Sequence, residues 1–413
     1  MRAMKDSGVE WIGSIPENWS LCRLKNYATI LNGQDYAGVA ADDGKYPVMG
    51  SGGQFATANT YLYDKESVLL GRKGTIDKPL YQDEPFWTVD TMYYTAIKDT
   101  AIAKFFYYLC TQIRFDYYQF GSAVPSMTQR DLNSVDFPLL DVKEQSRIAS
   151  FLDAKCAQID AIIEKQQQVI EKLKAYKLSV ITEAVTKGLD PTVPMKDSGV
   201  EWIGMVPEKW DIQALKFILS ERNQNNSPII TEERLSLSID KGVTLYAEKT
   251  TNLDRFKDDV SKYKIAHPDD IVINSMNVIV GAEGISKYLG CVSPAYYVMY
   301  ASNPDLFSIK YYDYAFKTST IRKVLFSLGK GILAIERGND RVNTCRLKVS
   351  RYDLGRLAFP VPQISEQTKI AEYLDRVCAS TDAAICKKQV LIDKLIDYKK
   401  SLIYEAVTGK MEV

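Results

Sequence analysis

MKDSGVEWIG stands at residues 4–13 and recurs, letter for letter, at residues 195–204. The copies run on as SIPENW (14–19) and MVPEKW (205–210), after which the similarity stops. Ten identical residues do not recur by chance, so the chain reads as a duplicated unit. A second pair of segments fixes the length of that unit. DLNSVDFPLLDVKEQSRIASFLDAKCAQID from Asp131 is answered by DLGRLAFPVPQISEQTKIAEYLDRVCASTD from Asp353, an offset of 222 against 191 for the decapeptide. The match continues in YKLSVITEAVTKG (176–188) and YKKSLIYEAVTGK (398–410). Each half is a short motif, a variable block and a long tail, and the second block is longer by 222 − 191 = 31 residues.

The tails read as helices. Between Glu144 and Val185 there is neither Gly nor Pro, and one stripe runs Cys156, Ile159, Ile163, Gln166, Ile170, Leu173, Lys177, Val180, Ala184. Its twin runs Cys378, Thr381, Ile385, Lys388, Ile392, Leu395, Lys399, Leu402, Ala406. Steps of three and four average 3.5 residues, the coiled-coil period. Gly188 and Gly409 supply the expected C-terminal stops. A helix of about 42 residues is a rod of roughly 60 Å. A rod with such a stripe must bury it, and its own duplicate is the available partner. Two copies related by a pseudo-twofold axis run antiparallel, with the polar positions Gln166, Lys177, Lys388 and Lys399 weakening the seam while fixing its register.

Composition narrows the class. At 413 residues the chain has room for two ordinary domains, and 46% hydrophobic with 25% charged residues describe a globular protein. No run of about 18 apolar residues and no apolar signal core appear, which makes the cytoplasm the expected location and no membrane the expected partner. Seven cysteines without CxxC spacing read as small core residues, neither a disulfide framework nor a zinc site. Net charge is zero, yet residues 310–356 carry 11 basic against 4 acidic side chains, while residues 1–140 carry 13 against 16. Such a local excess suits phosphate binding on an otherwise neutral molecule.

The variable blocks read as mixed α/β, short β-branched or aromatic runs alternating with glycine turns. GSGG (50–53) and GRKG (71–74) allow close backbone approach to a ligand, and Arg72 and Lys73 place charge beside it. Neither has the spacing of a P-loop, and no GxGxxG opens a helix. The single histidine, His267, lies in the turn-like AHPDD, and no HExxH or methyltransferase signature is present. The chain reads as a reader of nucleic acid, with no catalytic residue, cofactor or metal of its own. A self-sufficient DNA-modifying enzyme and a coiled-coil adaptor that binds only protein are the rival classes.

These segments, in this order and twice over, resemble the specificity subunit of Type I restriction-modification systems. The resemblance covers essentially the whole chain and is carried by MKDSGVEWIGSIPENW, by YPVMGSGG, LLGRKGTI and PFWTVDT, by GSAVPSMTQRDL before FPLL, and by EQSRIASFLD at the head of each helix. It implies an α/β (α+β) protein with two globular target-recognition domains, 1–140 and 190–362, held apart by two long antiparallel coiled-coil helices, 141–189 and 363–413. Each domain then reads half of a split double-stranded DNA site and the helices set the spacing. The partners implied are a pair of DNA methyltransferase (modification) subunits and the restriction/translocase subunits. S-adenosylmethionine, ATP and Mg belong to those partners and not to this chain. The second domain departs from the pattern, since it lacks GSGG and GRKG counterparts and has NSMNVIVGAEG (274–284) and a basic stretch ending RVNTCRLKVSRYDL.

Arg and Lys supply affinity through phosphate, whereas Arg, Asn, Gln, Ser and Thr read base edges. The DNA-binding residues expected on these grounds are Ser51, Gln54, Arg72, Lys73, Ser126, Thr128, Gln129 and Arg130 in the first domain. In the second they are Asn274, Asn277, Lys330, Arg337, Arg341, Asn343, Arg346, Lys348 and Arg351. Tyr93, Tyr94, Tyr296 and Tyr297 read as strand residues of the core.

Overall fold

The computed structural model describes residues 2–118, 125–239, 241–248, 259–332 and 346–413, the side chains of 117, 118, 332 and 346 excepted. The chain forms two compact units, Met1–Gln167 with Gln389–Val413, and Gln168–Lys388. The two tails are single helices, Val142–Lys187 and Ile364–Val407, and each is shared between the units.

The repeated decapeptide folds the same way in both units. Asp6 Oδ1 accepts from Gly8 N at 3.0 Å and Asp197 Oδ1 from Gly199 N at 3.0 Å, with both glycines at positive φ (71° and 70°). This is an Asx turn, closed by the short side chain of the aspartate, and the positive φ that follows suits glycine. The chain then returns as a hairpin, Met4–Asp6 against Ser14–Pro16 and Met195–Asp197 against Met205–Pro207. It delivers Trp19 and Trp210 to the interior. Each indole N–H donates to a carboxylate at the head of a long helix, Trp19 to Glu144 and Trp210 to Glu366, both at 3.0 Å. Since 19 + 191 = 210 and 144 + 222 = 366, the two conserved offsets of the sequence meet in one repeated bond.

The next residue of each helix ties down the globular part. Gln145 is fully buried; its Oε1 accepts from Ile102 N at 2.9 Å and its Nε2 donates to Leu140 O and Thr100 O. Gln367, also fully buried, accepts from Ser308 N at 2.8 Å and donates to Pro362 O and Leu306 O. The backbone groups served this way open the helices Ala103–Cys110 and Ile309–Phe316. On those helices Tyr108 donates to Asp153 and Tyr314 to Asp375, each at 2.7 Å.

Each unit has a four-stranded antiparallel sheet of the same order. In the first it is Ala28–Asn32, Met92–Ile97, Ser67–Gly71, Leu80–Gln82. In the second it is Leu219–Glu221, Tyr296–Ala301, Ile271–Asn274, Glu283–Ile285. Tyr93 and Tyr94 are buried in it, and Tyr296 and Tyr297 are half-buried. The second unit adds the helix Ser319–Leu328, which begins nine residues after Lys310 and accounts for part of its extra length.

Within each unit the two helix segments run antiparallel. In the first, Arg2 bridges Glu144 at 2.6 Å and Glu412 at 3.9 Å, so the head of one helix lies beside the tail of the other. Further along, Lys399 meets Asp160 at 2.6 Å. In the second unit Lys177 meets Asp382 at 2.7 Å. These lysines correct the expectation of polar groups left in the seam: the ammonium groups leave it for carboxylates on the facing helix. Gln166 does remain, and its Oε1 is buried without a partner. Gly409 (φ 73°) closes on Trp19, where a Cβ would come within 2.5 Å of Pro16, and Gly188 (φ 77°) closes on Trp210. Of the six described cysteines Cys110, Cys156, Cys291 and Cys378 are buried, whereas Cys386 is exposed and so departs from the core reading.

Replacing Gln145 with Leu keeps the volume but strands one N–H and two C=O groups of the backbone. A loss of about 2–4 kcal/mol is expected, read as a lower urea midpoint for the first unit, and Gln367→Leu has the same effect on the second.

Candidate nucleic-acid interface

In the first unit, the turn that follows the strand Ser67–Gly71 carries Arg72, Lys73 and Gly74 to the end of the sheet. Backbone bonds fix this turn. Arg72 N donates to Thr91 O at 2.9 Å, Met127 N donates to Arg72 O at 3.0 Å, and Gly74 N donates to Pro125 O at 3.0 Å. Lys73 and Ser126 thus face each other in an isolated antiparallel bridge. Tyr93 closes the clamp from inside, its hydroxyl donating to Met127 O at 3.4 Å. Burial pushes that hydroxyl's pKa up, and Arg72 beside it acts in the opposite direction.

The two glycine turns of the sequence meet here. Ser51 Oγ lies 3.1 Å from where a Cβ on Gly74 would stand, and Gly74 has φ 87°, so a side chain at 74 would strain the backbone and crowd Ser51. Ser51, Arg72, Lys73, Ser126 and Gln129 therefore share one edge. Gln129 Nε2 donates to Asn32 Oδ1 at 3.1 Å, which adds Asn32, a residue the sequence did not single out. Arg72 Nη1 donates to Asp90 O at 3.2 Å and the side chain is half-exposed, while Lys73, Ser126 and Arg130 are exposed. Thr128 is occupied locally: its Oγ1 accepts from Asp131 N at 3.2 Å and donates to Asp131 Oδ2 at 2.6 Å, capping the helix Gln129–Ser134. Gln54 is exposed on the strand Gly53–Ala58 beside Phe55, whose ring meets Tyr36 edge-on at 5.3 Å.

The second unit builds the same clamp from other residues. Val349 N donates to Ser275 O at 2.9 Å, and Tyr297 Oη donates to Val349 O at 3.1 Å. Register agrees, since Tyr93 lies opposite Leu70 and Tyr297 opposite Ile273, each two residues before the clamped carbonyl. The stretch 275–277 thus stands where 72–74 stands in the first unit. The counterpart missing from the sequence is present in the fold, without its glycines and its cations. Asn274 Oδ1 accepts from Met276 N at 3.0 Å, and Asn277 is exposed. Ser275 is buried, its hydroxyl donating to Ala295 O at 3.1 Å.

The basic excess of 310–356 is less available than its count suggests. Lys310 pairs with Asp375, Lys317 with Asp313, and Arg351 with Glu221 at 2.9 Å. Lys330, although exposed, is 3.5 Å from Asp353, whose carboxyl is held below its usual range first by the Ser350 hydroxyl and then by Lys330. Lys330 and Lys348 stand directly opposite each other in the hairpin of Lys330–Ile332 and Arg346–Lys348. Like charges in that position repel unless an anion lies between them. Arg337, Arg341 and Asn343, and the side chain of Arg346, lie outside the described residues.

Beneath the 275–280 loop is a buried charged group that the sequence reading missed. Glu283 is 3% exposed, and neither carboxylate oxygen has a hydrogen-bond partner. Arg322 Nη2 is 4.0 Å away, and its guanidinium lies over Gly281 (φ 92°), where a Cβ would meet it at 2.5 Å. Burial lifts the Glu283 carboxyl from 4.5 to about 7, with Arg322 opposing. His267, by contrast, is bound by Gln224 at 2.8 Å, and among the described residues no group of three His, Cys, Asp or Glu could hold a metal ion.

A carboxyl raised on folding favours the fold fully below its unfolded pKa, and that contribution is lost as pH rises through the folded value. Urea unfolding of the second unit should therefore weaken between pH 5 and pH 8. Glu283→Gln should remove that loss, a relative gain on the order of 3 kcal/mol at pH 8.

Residues 16–172 match the family described as Type I restriction modification DNA specificity domain. The Escherichia coli Type I restriction enzyme EcoDI specificity subunit is 24% identical over 180 residues, which is 42% of this chain and 39% of that protein. The Salmonella potsdam Type I restriction enzyme StySPI specificity subunit is 20% identical over 435 residues, spanning 97% of this chain and 90% of that one. The fold is shared with a chain of a solved structure described as showing complex assembly and conformational transition of the type I R-M system. The TM-score is 0.66 over 96% of this chain and 99% of that chain, at 13% identity.

Proposed function

We infer that this chain is a Type I restriction-modification specificity protein, the DNA-recognition subunit of such a system, each unit reading one half of a bipartite duplex site. The observation that carries the reading is the equivalence of two edges. One frame, repeated through identical bonds, holds two sheets of the same order, and each presents to solvent a clamped loop with different side chains. A shared scaffold with divergent loops is what reading two different half-sites requires.

In this reading Lys73, Arg130, Lys330 and Lys348 hold the DNA backbone, and Arg337, Arg341 and Arg346 extend that hold. The lysines opposed at 330 and 348 then take a phosphate between them. The chemistry falls to methyltransferase and restriction subunits carrying S-adenosylmethionine, ATP and Mg, and the paired helices set the spacing of the half-sites. The helices also offer those subunits a surface. Ile162, Leu391 and Tyr398 in the first unit, and Val169 and Tyr176 in the second, are exposed. Each stands one residue before a seam position, an apolar flank at heptad spacing that suits partner helices.

The test is a mobility-shift titration of duplex DNA with the full chain at several salt concentrations. Sequence-selective, salt-dependent binding is expected. Lys330→Ala with Lys348→Ala should flatten the log-log salt slope by about 0.9 for each phosphate that is no longer neutralised. Failure to shift any duplex would leave the helix pair as a protein-binding adaptor. Turnover of DNA by the chain alone would make it an enzyme.

The helix flank has its own check. Tyr176→Glu with Tyr398→Glu should abolish co-purification with a co-expressed methyltransferase subunit while leaving the DNA titration unchanged.

A further inference from the structure

The two clamped loops are equivalent in backbone and opposite in chemistry. At the first, Arg72 is half-exposed and Lys73 is exposed. One guanidinium nitrogen of Arg72 is used by Asp90 O, which orients the side chain and leaves the other donors of its planar fork to a ligand. At the equivalent places of the second unit, Ser275 is buried and turned inward to Ala295 O. The side chains that reach solvent there are Met276, 45% exposed, and Asn277, whose side chain makes no helix-cap bond. The Asn274 side chain closes an Asx turn onto Met276 N, so the thioether is presented by a built turn. No cation stands at 275–277.

Base edges discriminate among these groups. Guanine offers two acceptors, N7 and O6, to an arginine fork. Adenine offers an acceptor and a donor, N7 and N6, to an asparagine amide. Thymine offers a methyl group to an apolar side chain. A guanidinium has no acceptor for the adenine N6 donor, and a thioether has no strong donor for guanine.

We propose that Arg72 selects a guanine in one half-site and that Met276 with Asn277 selects an A·T pair in the other, Asn277 on adenine and Met276 against the thymine methyl. This deepens, and rests on, the reading of the chain as a DNA-recognition subunit. It makes the loop after the third strand of each sheet a specificity determinant, and it gives Asn274 a positioning role through the turn that presents Met276.

The experiment is enrichment of randomised duplex DNA on the full-length chain, followed by sequencing of the retained duplexes. The wild-type chain should retain a bipartite motif with an invariant guanine in one half and an invariant A·T pair in the other. Arg72→Ala should lower discrimination at that guanine about ten- to a hundredfold and leave every other position as it was. Asn277→Ala and Met276→Ala should do the same for the A·T pair alone. Arg72→Lys keeps the charge and loses the fork, so it serves where the alanine variant does not fold: it should still bind and still relax the guanine.

Variants that bind more weakly with an unchanged motif would make these residues phosphate ligands and overturn the proposal. So would relaxation of the guanine by the Met276 or Asn277 changes. Retention of no motif at all by the wild-type chain would instead sink the DNA-recognition reading beneath it.

Discussion

A fully buried amide side chain is costly to leave unpaired, and the architecture depends on two that are fully paired. Gln145 and Gln367 sit at the heads of the long helices with no solvent access, and each is satisfied only by backbone groups of the globular part it serves. The glutamate one residue earlier in each helix takes a tryptophan indole from the opposite side. Two adjacent side chains thus fix the long helix against both the repeated hairpin and the start of the short helix, Ala103–Cys110 in one unit and Ile309–Phe316 in the other. The cost of orphaning any of these groups is a few kcal/mol, comparable with much of a domain's net stability. That is a physical reason for the frame to be spelled twice while the sequence between its parts drifts.

Much of this is legible in the sequence. Identity at 4–13 and 195–204, and a 3.5-residue stripe over two tails, are signals that tertiary context does not overturn, and both long helices are present. The seam is less legible. Lys177 and Lys399 occupy seam positions by period, but a four-carbon stem lets each ammonium reach Asp382 or Asp160, which a periodicity argument does not represent. The basic excess of 310–356 was a count of charges, and a count does not know that Lys310, Lys317 and Arg351 have carboxylates waiting in space.

The second loop was hidden for a subtler reason. The sequence holds two tyrosine pairs, 93–94 and 296–297, with no signal for which members correspond, and the hydrogen bonds to Met127 and Val349 equate Tyr93 with Tyr297. A slip of one residue exchanges the two faces of a strand and removes any apparent kinship between GRKG and NSMN. Glu283 is invisible for a similar reason: its strand packs on the helix Ile309–Phe316, and its nearest cation, Arg322, comes from the helix Ser319–Leu328, which has no twin among the described residues of the first half.

The division of the chain into units also orders its synthesis. The second unit is one uninterrupted segment, Gln168–Lys388, whereas the first needs Met1–Gln167 and then Gln389–Val413. As the polypeptide leaves the ribosome, the unit that began first is the last to be completed. Until the final residues emerge, Ile159 and Ile163 have no Leu402 or Leu395 to cover them, and Trp19 lacks the closing turn at Gly409. A chain truncated near residue 388 therefore keeps the second unit whole but leaves the amphipathic helix segment of the first with a bare seam, the form most open to chaperones, proteases and mispairing with a second copy of itself.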